Sequence, residues 1–91
     1  MKIVCVCGMG MGSSLIAKMN IESILKKYKI DCIVDNCDVG SVASVDYDWY
    51  ITTKELSENM PMSLINKTII LSDFINLNSI EKELSKYLNF N

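Results

Sequence analysis

One thiol stands directly before a glycine-rich segment near the start of the chain. The segment reads Cys7-Gly8-Met9-Gly10-Met11-Gly12-Ser13-Ser14, with three glycines at alternate positions and two serines after them. Glycines let a backbone come close to a ligand, and successive N–H groups in such a loop form a nest for an anion. The serine hydroxyls add hydrogen-bond donors. The segment therefore predicts a nucleophilic thiol and, beside it, a cradle for the three oxygens of a phosphoryl group.

The elements on either side of this segment favour the same chemistry. Ile3 to Val6 is a short apolar, β-branched run, which predicts a buried strand. From Leu15 to Lys29 apolar residues recur at the helical period, and Ser13 or Ser14 is suited to cap that helix. The helix would point the positive end of its dipole at the thiol, which favours the thiolate near neutral pH.

The remaining elements complete an alternation of strands and helices. They are a strand at Asp31 to Cys37, a strand at Trp49 to Thr52, a short helix capped by Thr53 and running to Asn59, a strand at Thr68 to Leu71, and a helix at Ser79 to Leu88. This order is typical of a parallel sheet with helices on both faces. We expect a single α/β domain over residues 1–91, with a four-stranded parallel sheet of the Rossmann or flavodoxin-like kind and strand 1 at its centre.

Composition argues against several classes of function. The 91 residues carry a net charge of −2 and include nine lysines but neither arginine nor histidine, so we do not expect a nucleic-acid partner. The absence of histidine removes Cys–His and Ser–His–Asp catalysis. The four cysteines lack paired C-x-x-C spacing, and we expect neither a metal nor another cofactor. Cys5 and Cys32 are predicted to be core residues, and Cys37 to serve packing at a strand end.

Three reaction classes compete for such a loop. A cysteine phosphatase needs an arginine where Ser13 stands, and the only proline, Pro61, does not follow an aspartate that could act as general acid. A dinucleotide-binding loop would place its third glycine at Ser13 rather than at Gly12. A phosphocarrier needs only a group that is both a good nucleophile and a good leaving group, and a thiolate is both. The sequence fits the carrier best.

The stretch Ile3-Val4-Cys5-Val6-Cys7-Gly8-Met9-Gly10-Met11-Gly12-Ser13-Ser14 resembles the phosphocysteine loop of enzyme IIB in the bacterial phosphoenolpyruvate-dependent sugar phosphotransferase system. It is most similar to the ascorbate-type IIB proteins, with the galactitol type close behind. A second match, Asn36-Cys37-Asp38-Val39-Gly40, supports the ascorbate type. The resemblance runs along nearly the whole chain and implies a four-stranded parallel sheet with helices on both sides.

The resemblance also implies an activity, that of a phosphotransferase. Cys7 would accept a phosphoryl group from a histidine of a IIA protein and give it to an ascorbate-like sugar or polyol held by the membrane IIC component. The phosphate-binding loop would comprise Gly8, Met9, Gly10, Met11, Gly12, Ser13 and Ser14. Met9 and Met11 suit a docking surface for a partner, although both could instead pack inward.

Two other functions stay open at this stage: a regulatory IIB-like module that senses phosphotransferase flux, and a thiol redox protein, against which the lack of C-x-x-C argues. The chain shows no secretory leader and no apolar stretch near the ~20 residues of a membrane span. We therefore expect a cytoplasmic monomer with reduced thiols, without direct membrane insertion, which reaches the inner face of the membrane only through IIC.

Overall fold

Four parallel strands form one sheet, and the elements follow the predicted β-α-β-β-α-β-α order. The computed structural model describes residues 1–8 and 12–88, with the backbone alone at 12–14. The elements are β1 (Lys2–Cys7), α1 (Gly12–Lys27), β2 (Ile33–Asp38), β3 (Trp49–Thr53), α2 (Lys54–Ser57), β4 (Thr68–Leu71) and α3 (Leu77–Ser85), with 3₁₀ helices at Val42–Ser44 and Met62–Lys67. The strand order is β2-β1-β3-β4, which confirms that strand 1 lies centrally.

One face of the sheet carries the larger core. Ile3 and Cys5 of β1 project to this face, where α1 and α3 cover them. The helical spacing predicted an apolar stripe of Ala17, Ile21, Ile24, Leu25 and Tyr28; the first four are buried there, and Tyr28 is half-buried against the same core. Each fully buried aliphatic side chain contributes about 1.5–3 kcal/mol, so this face supplies most of the stability of the domain.

The other face is covered by short segments rather than long helices. Val4 and Val6 of β1 pack there against Tyr50, Val42 of the first 3₁₀ helix and Met60. The hydroxyl of Tyr50 donates to the carbonyl of Val45 at 3.0 Å and accepts from the backbone N–H of Tyr47 at 3.1 Å. The ring is therefore buried while its polar end is satisfied.

Several predicted boundaries were wrong. α1 begins at Gly12, so Ser13 and Ser14 lie within its first turn rather than at the residue before it. β2 is Ile33–Asp38 rather than Asp31 to Cys37. Thr53 precedes α2, which is shorter than predicted, and makes no capping hydrogen bond through its side chain. α3 begins before Ser79, because the side chain of Asn76 accepts from the N–H of Ser79 at 3.1 Å and caps the helix there.

Some burial predictions also needed correction. Cys5 is fully buried, as predicted, but Cys32 is only half-buried and lies at the rim of the larger core. Tyr87 was predicted to face inward but is exposed, because α3 ends at Ser85. Its ring instead meets Trp49 edge-on, with centroids 5.4 Å apart, and Trp49 is half-buried.

The C-terminus of α1 ends in a left-handed residue. Lys29 has φ of 57°, and its N–H donates to the carbonyl of Lys26 at 3.1 Å. The N–H of Ile30 donates to the carbonyl of Leu25 at 2.9 Å. This pair of bonds is the Schellman pattern, in which glycine is the usual left-handed residue. The turn explains why the helix stops at Lys27, two residues before the predicted end.

Replacement of Lys29 by glycine should therefore stabilise the domain. Lys29→Gly is expected to raise the free energy of unfolding by about 0.5–1 kcal/mol, because glycine removes left-handed strain of about 1–2 kcal/mol but enlarges the unfolded ensemble. Urea unfolding followed by circular dichroism measures the change. Lys26→Gly, inside the same helix, is the control and should lose about 1 kcal/mol. A Lys29→Gly protein no more stable than wild type would contradict the assignment.

Candidate functional site

Cys7 lies at the topological switch point of the sheet, where the following strands are added on opposite sides of β1. It is the last residue of β1, which has β2 on one side and β3 on the other. In open α/β sheets ligands bind at the carboxyl ends of the strands, at such a switch point. α1 starts at Gly12 and runs back along the sheet, so its N-terminus, with its partial positive charge, belongs to the same edge.

β1 pairs with its two neighbouring strands over different lengths. The ladder with β2 continues to the pair Cys7 and Asp38. The ladder with β3 ends earlier, at the pair Cys5 and Ile51. The sheet therefore opens between β1 and β3 beside the last residues of β1, on the side of the switch point.

Where the ladder with β3 ends, a buried side chain makes the next hydrogen bond to β1. The hydroxyl of Thr52 donates to the carbonyl of Val6 at 3.1 Å, and Thr52 is fully buried. On the opposite side the N–H of Val39 donates to the carbonyl of Cys7 at 2.8 Å. The backbone on both sides of the Cys7 Cα is thus fixed. Thr52 holds the Val6 carbonyl before it, and Val39 holds the Cys7 carbonyl after it.

The thiol-bearing residue itself is covered. Cys7 is 1% exposed. Opposite it in the ladder, Asp38 directs one carboxylate oxygen to the N–H of Ser41 at 2.8 Å, so this charge is engaged in the turn after β2.

The pKa values of three thiols, Cys5, Cys32 and Cys37, are raised above that of an ordinary thiol. Burial raises the pKa of Cys5 to about 12, with a smaller contribution from the carboxylate of Glu22. Burial also raises the pKa of Cys37, and the nearby Asp38 carboxylate and Cys7 thiol add to it. Burial is also the main reason why the pKa of Cys32 is raised. These thiols are therefore poor nucleophiles near neutral pH.

A cleft of about 760 Å³ opens at this edge. Its walls come from the residues that follow β1, β3 and β4 and from the first turns of α1. The lining residues are Gly8, Ile16, Thr53, Lys54, Glu55, Leu56, Glu58, Ser72, Asp73, Phe74 and Ile75. Gly8, which directly follows Cys7, is one of these lining residues, so the cleft adjoins the end of β1.

The segment after β4 forms one firm wall of the cleft. One carboxylate oxygen of Asp73 accepts from the N–H groups of Ile75 at 2.9 Å and Asn76 at 2.8 Å. These two hydrogen bonds, of which the one from Asn76 has the larger effect, hold the pKa of the Asp73 carboxyl below its ordinary value. The side chain of Asn20 in α1 donates to the carbonyl of Phe74 at 2.9 Å, which ties this segment to α1.

Close approach explains the glycine at the cleft floor. A Cβ placed on Gly8 would stand 3.2 Å from Cδ2 of Leu56 in α2. That separation is tighter than ordinary van der Waals contact, so the end of the Leu56 side chain would have to shift by a few tenths of an ångström to admit a larger residue. Gly8 therefore lets the end of β1 lie close to Leu56.

The structure places some of the predicted site residues together and leaves others undescribed. Cys7 and Gly8 lie at the edge, and the backbone of Gly12, Ser13 and Ser14 forms the first turn of α1. Met9, Gly10 and Met11 lie outside the described residues, so the roles expected of them stay predictions. Among the described residues no group of His, Cys, Asp and Glu could hold a metal ion.

Sequence reasoning missed the remaining walls of the cleft. Thr53 is the last residue of β3, and Ser72 directly follows β4. Carboxyl ends of parallel strands meet at one edge, so both residues could have been found from the strand assignments alone. The positions of Leu56 and Phe74 depend on how α2 and the segment after β4 fold back, which no local pattern indicates.

A sequence model of the PTS system Lactose/Cellobiose specific IIB subunit family, where PTS stands for phosphotransferase system, matches residues 2–86. The chain belongs to this family. Similar curated proteins are the ascorbate-specific PTS system EIIB components of Escherichia coli O157:H7, Shigella flexneri and Salmonella typhi, each 44% identical over 43 residues. That match covers 47% of this IIB chain and spans less than half, 43%, of the length of each relative. The predicted resemblance to IIB proteins of ascorbate type is confirmed.

Solved structures confirm the fold of this IIB chain. The lactose-specific IIB component domain from Streptococcus pneumoniae superposes with a TM-score of 0.69 at 18% identity, over 99% of this chain and 96% of that one. A low molecular weight phosphotyrosine phosphatase from Vibrio cholerae O395 superposes with a TM-score of 0.56 at 9% identity, over 90% and 86%. No described helix has the length and apolar content to span a bilayer.

Removal of the Thr52 hydroxyl should disturb the end of β1. Thr52→Val leaves the Val6 carbonyl buried without its donor and should lower the free energy of unfolding by about 1–3 kcal/mol. Thr68→Val is the matched control, because Thr68 is also buried and donates to the carbonyl of Leu64 at 2.7 Å, away from Cys7. Both variants should lose stability, but only Thr52→Val should shift the backbone amide resonances of Cys7 and Gly8 in NMR spectra. Unchanged resonances in Thr52→Val would contradict the positioning role.

The buried Cys5 thiol should resist alkylation in the folded protein. Iodoacetamide reacts with thiolates, and Cys5 combines full burial with a pKa near 12. At pH 8, peptide mapping by mass spectrometry should find label on the half-buried Cys32 and none on Cys5. In urea both should be labelled. Native-state label on Cys5 at a rate similar to Cys32 would show that the core around β1 opens readily.

Proposed function

We propose that this IIB chain is a phosphotransferase that carries a phosphoryl group on Cys7. The observation that carries the proposal is the place of Cys7 at the end of the central strand, at the switch point and ahead of the N-terminus of α1. Membership of the IIB family supports it. The raised pKa values of Cys5, Cys32 and Cys37 make these three thiols poor nucleophiles near neutral pH.

The reaction consists of two displacements at phosphorus. In the first, the Cys7 thiolate attacks the phosphorus of a phosphohistidine on a IIA protein; the S–P bond forms, the N–P bond breaks and the imidazole leaves. In the second, a sugar hydroxyl held by the membrane IIC component attacks; the O–P bond forms, the S–P bond breaks and the thiolate is restored. The proton of the hydroxyl passes to a base on the acceptor side. Positioning and electrostatic stabilisation supply most of the catalysis in such transfers.

The loop after β1 supplies the phosphate cradle in this proposal. Its members are Gly8, Met9, Gly10, Met11, Gly12, Ser13 and Ser14, whose backbone N–H groups and hydroxyls would hold the phosphoryl oxygens. The amides at the start of α1 have no partner within the helix, which suits an anion. With no arginine in the 91 residues, backbone donors do the work that an arginine does in phosphatases.

The absence of arginine and histidine favours a carrier over a hydrolase. Ser13 stands where a cysteine phosphatase needs arginine, and the chain has no histidine. The likeness to a phosphotyrosine phosphatase concerns the fold alone, at 9% identity. Without the arginine that a phosphatase uses, hydrolysis of the thiophosphate would be slow, which a carrier requires until an acceptor arrives.

The partners follow from the same proposal. They are a IIA donor, a IIC permease and its sugar, with the chain a cytoplasmic monomer that meets the inner face of the membrane only through IIC. The curated relatives are named as ascorbate-specific, which supports a sugar acid or a related polyol as the substrate.

Intact-mass spectrometry tests the assignment of Cys7. After incubation with phosphoenolpyruvate, the general phosphotransferase proteins and a phosphorylated IIA protein, the wild type should gain the mass of one phosphoryl group, and iodine should remove it. Cys7→Ser should gain nothing. Cys37→Ser is the matched control, because Cys37 is also a thiol at the end of a strand, and it should gain the group as the wild type does.

Other outcomes would redirect the assignment. Phosphorylation lost in Cys37→Ser and kept in Cys7→Ser would move the acceptor to the other strand. No gain in any variant, with an active IIA protein, would favour the regulatory or redox functions. Phosphorylation of the wild type without transfer to sugar in vesicles that contain IIC would favour the regulatory module.

A further inference from the structure

Thr53, the last residue of β3, ends its strand beside the end of β1. The ladder between these two strands ends with the pair Cys5 and Ile51. Two residues further along each strand, and therefore on the same face as that pair, come Cys7 and Thr53. Neighbouring strands of a sheet lie only about 4.8 Å apart. Thr53 is therefore the residue of β3 that stands beside the thiol of Cys7.

The side chains of Cys7 and Thr53 lie on the face of the sheet that α1 covers. Cys5 and Ile51 belong to the larger core on that face, and side chains alternate between the two faces along a strand. On its other side Thr53 pairs with Leu71 of β4, which is buried in the same core. The two strands and the first turn of α1 thus meet at one edge of one face.

The hydroxyl of Thr53 is available to a ligand at this edge. Thr53 is half-buried and lines the cleft of about 760 Å³ together with Gly8. Its side chain makes no capping hydrogen bond to α2 and none to any other described residue. The other two threonines of the chain, Thr52 and Thr68, donate their hydroxyl protons to backbone carbonyls. Thr53 alone among the three keeps its donor for a group that enters the cleft.

The side chain on the other side of Cys7 is an acceptor rather than a donor. Asp38 is opposite Cys7 in the ladder with β2, and paired residues of neighbouring strands point to the same face. Its carboxylate accepts from the N–H of Ser41 and has no proton to give to an anion. Its negative charge also repels the oxygens of a phosphoryl group. A phosphoryl group on Sγ would therefore lie toward β3, where the sheet opens and Thr53 stands.

We propose that Thr53 is a phosphoryl-binding residue, whose hydroxyl donates a hydrogen bond to an oxygen of the phosphoryl group on Cys7. This inference rests on the proposed function. It adds a side-chain donor from β3 to the donors of the loop, in a chain that has no arginine. A hydrogen bond to a charged oxygen is about twice as strong as one between neutral groups. The bond therefore stabilises phosphorylated Cys7 more than the free thiol.

Substitution of Thr53 tests this bond. Thr53→Val removes the hydroxyl and keeps the shape of the side chain, Thr53→Ala removes it without adding an apolar branch, and Thr53→Ser keeps it. Each variant is incubated with phosphorylated IIA protein, and intact-mass spectrometry follows the phosphoryl group on both proteins to equilibrium. In Thr53→Val and Thr53→Ala the equilibrium constant for phosphorylation of Cys7 and the second-order rate of transfer should each fall about tenfold or more. Thr53→Ser should restore most of both.

Thr68→Val is the matched control. Thr68 begins β4, at the opposite edge of the sheet from Cys7, and this variant also loses a buried threonine hydroxyl. Its equilibrium constant and rate, measured on folded protein, should stay within about twofold of wild type. Because the free Thr53 side chain bonds to no described residue, Thr53→Val should also unfold at the same urea concentration as wild type.

The outcomes separate this inference from the proposed function. A wild type that accepts phosphate, with an equal equilibrium constant and rate in Thr53→Val, overturns the role of Thr53 and leaves the carrier intact. A loss in Thr53→Val that Thr53→Ser shares assigns the effect to packing of the side chain and overturns the role as well. Failure of the wild type to accept phosphate from an active IIA protein overturns the carrier and, with it, this inference.

Discussion

The site depends on the way β1 is fixed at the centre of the sheet. Its side chains are buried on both faces, and its backbone is bonded to a strand on each side. Little freedom remains for the last residue of such a strand, so Cys7 is placed by the fold rather than by a mobile loop. The ladder with β3 ends before β1 does, which leaves an opening beside the last residues of β1. There the Thr52 hydroxyl donates to the Val6 carbonyl, which would otherwise be buried without a partner.

The fold that this chain shares with a phosphotyrosine phosphatase ends its central strand near a helix N-terminus but does not by itself decide the chemistry there. Chemistry is then decided by the few groups around the thiol. An arginine in the loop and an aspartic acid as general acid support hydrolysis, and this chain has serine at the first position and no arginine at all. With backbone amides as its anion donors, the site would bind a phosphoryl group without activating water.

Much of the fold could be predicted from the sequence because the strands are short β-branched runs and α1 has a clear apolar stripe. Thr68–Leu71 was predicted to the residue. The errors fell at boundaries, where tertiary contacts outweigh local preference: Lys29 accepts a left-handed conformation that favours glycine, and Gly12 joins a helix. The cysteine and its glycines were recognisable from their order alone, whereas the opposing wall at Leu56 and Phe74 depended on contacts between segments distant in sequence.

The burial of Cys7 suits the carrier role proposed for it. A thiophosphate is useful to a carrier only while water cannot reach it and a partner can, and a residue as covered as Cys7 satisfies the first condition in the unbound protein. The second condition then has to come from contact with a partner. Ile16 and Ile75, two exposed residues that line the cleft, offer free energy for such a contact. On the proposed function, exposure of the thiol would thus be coupled to docking, so that phosphoryl transfer would occur in the complex and hydrolysis would stay slow outside it.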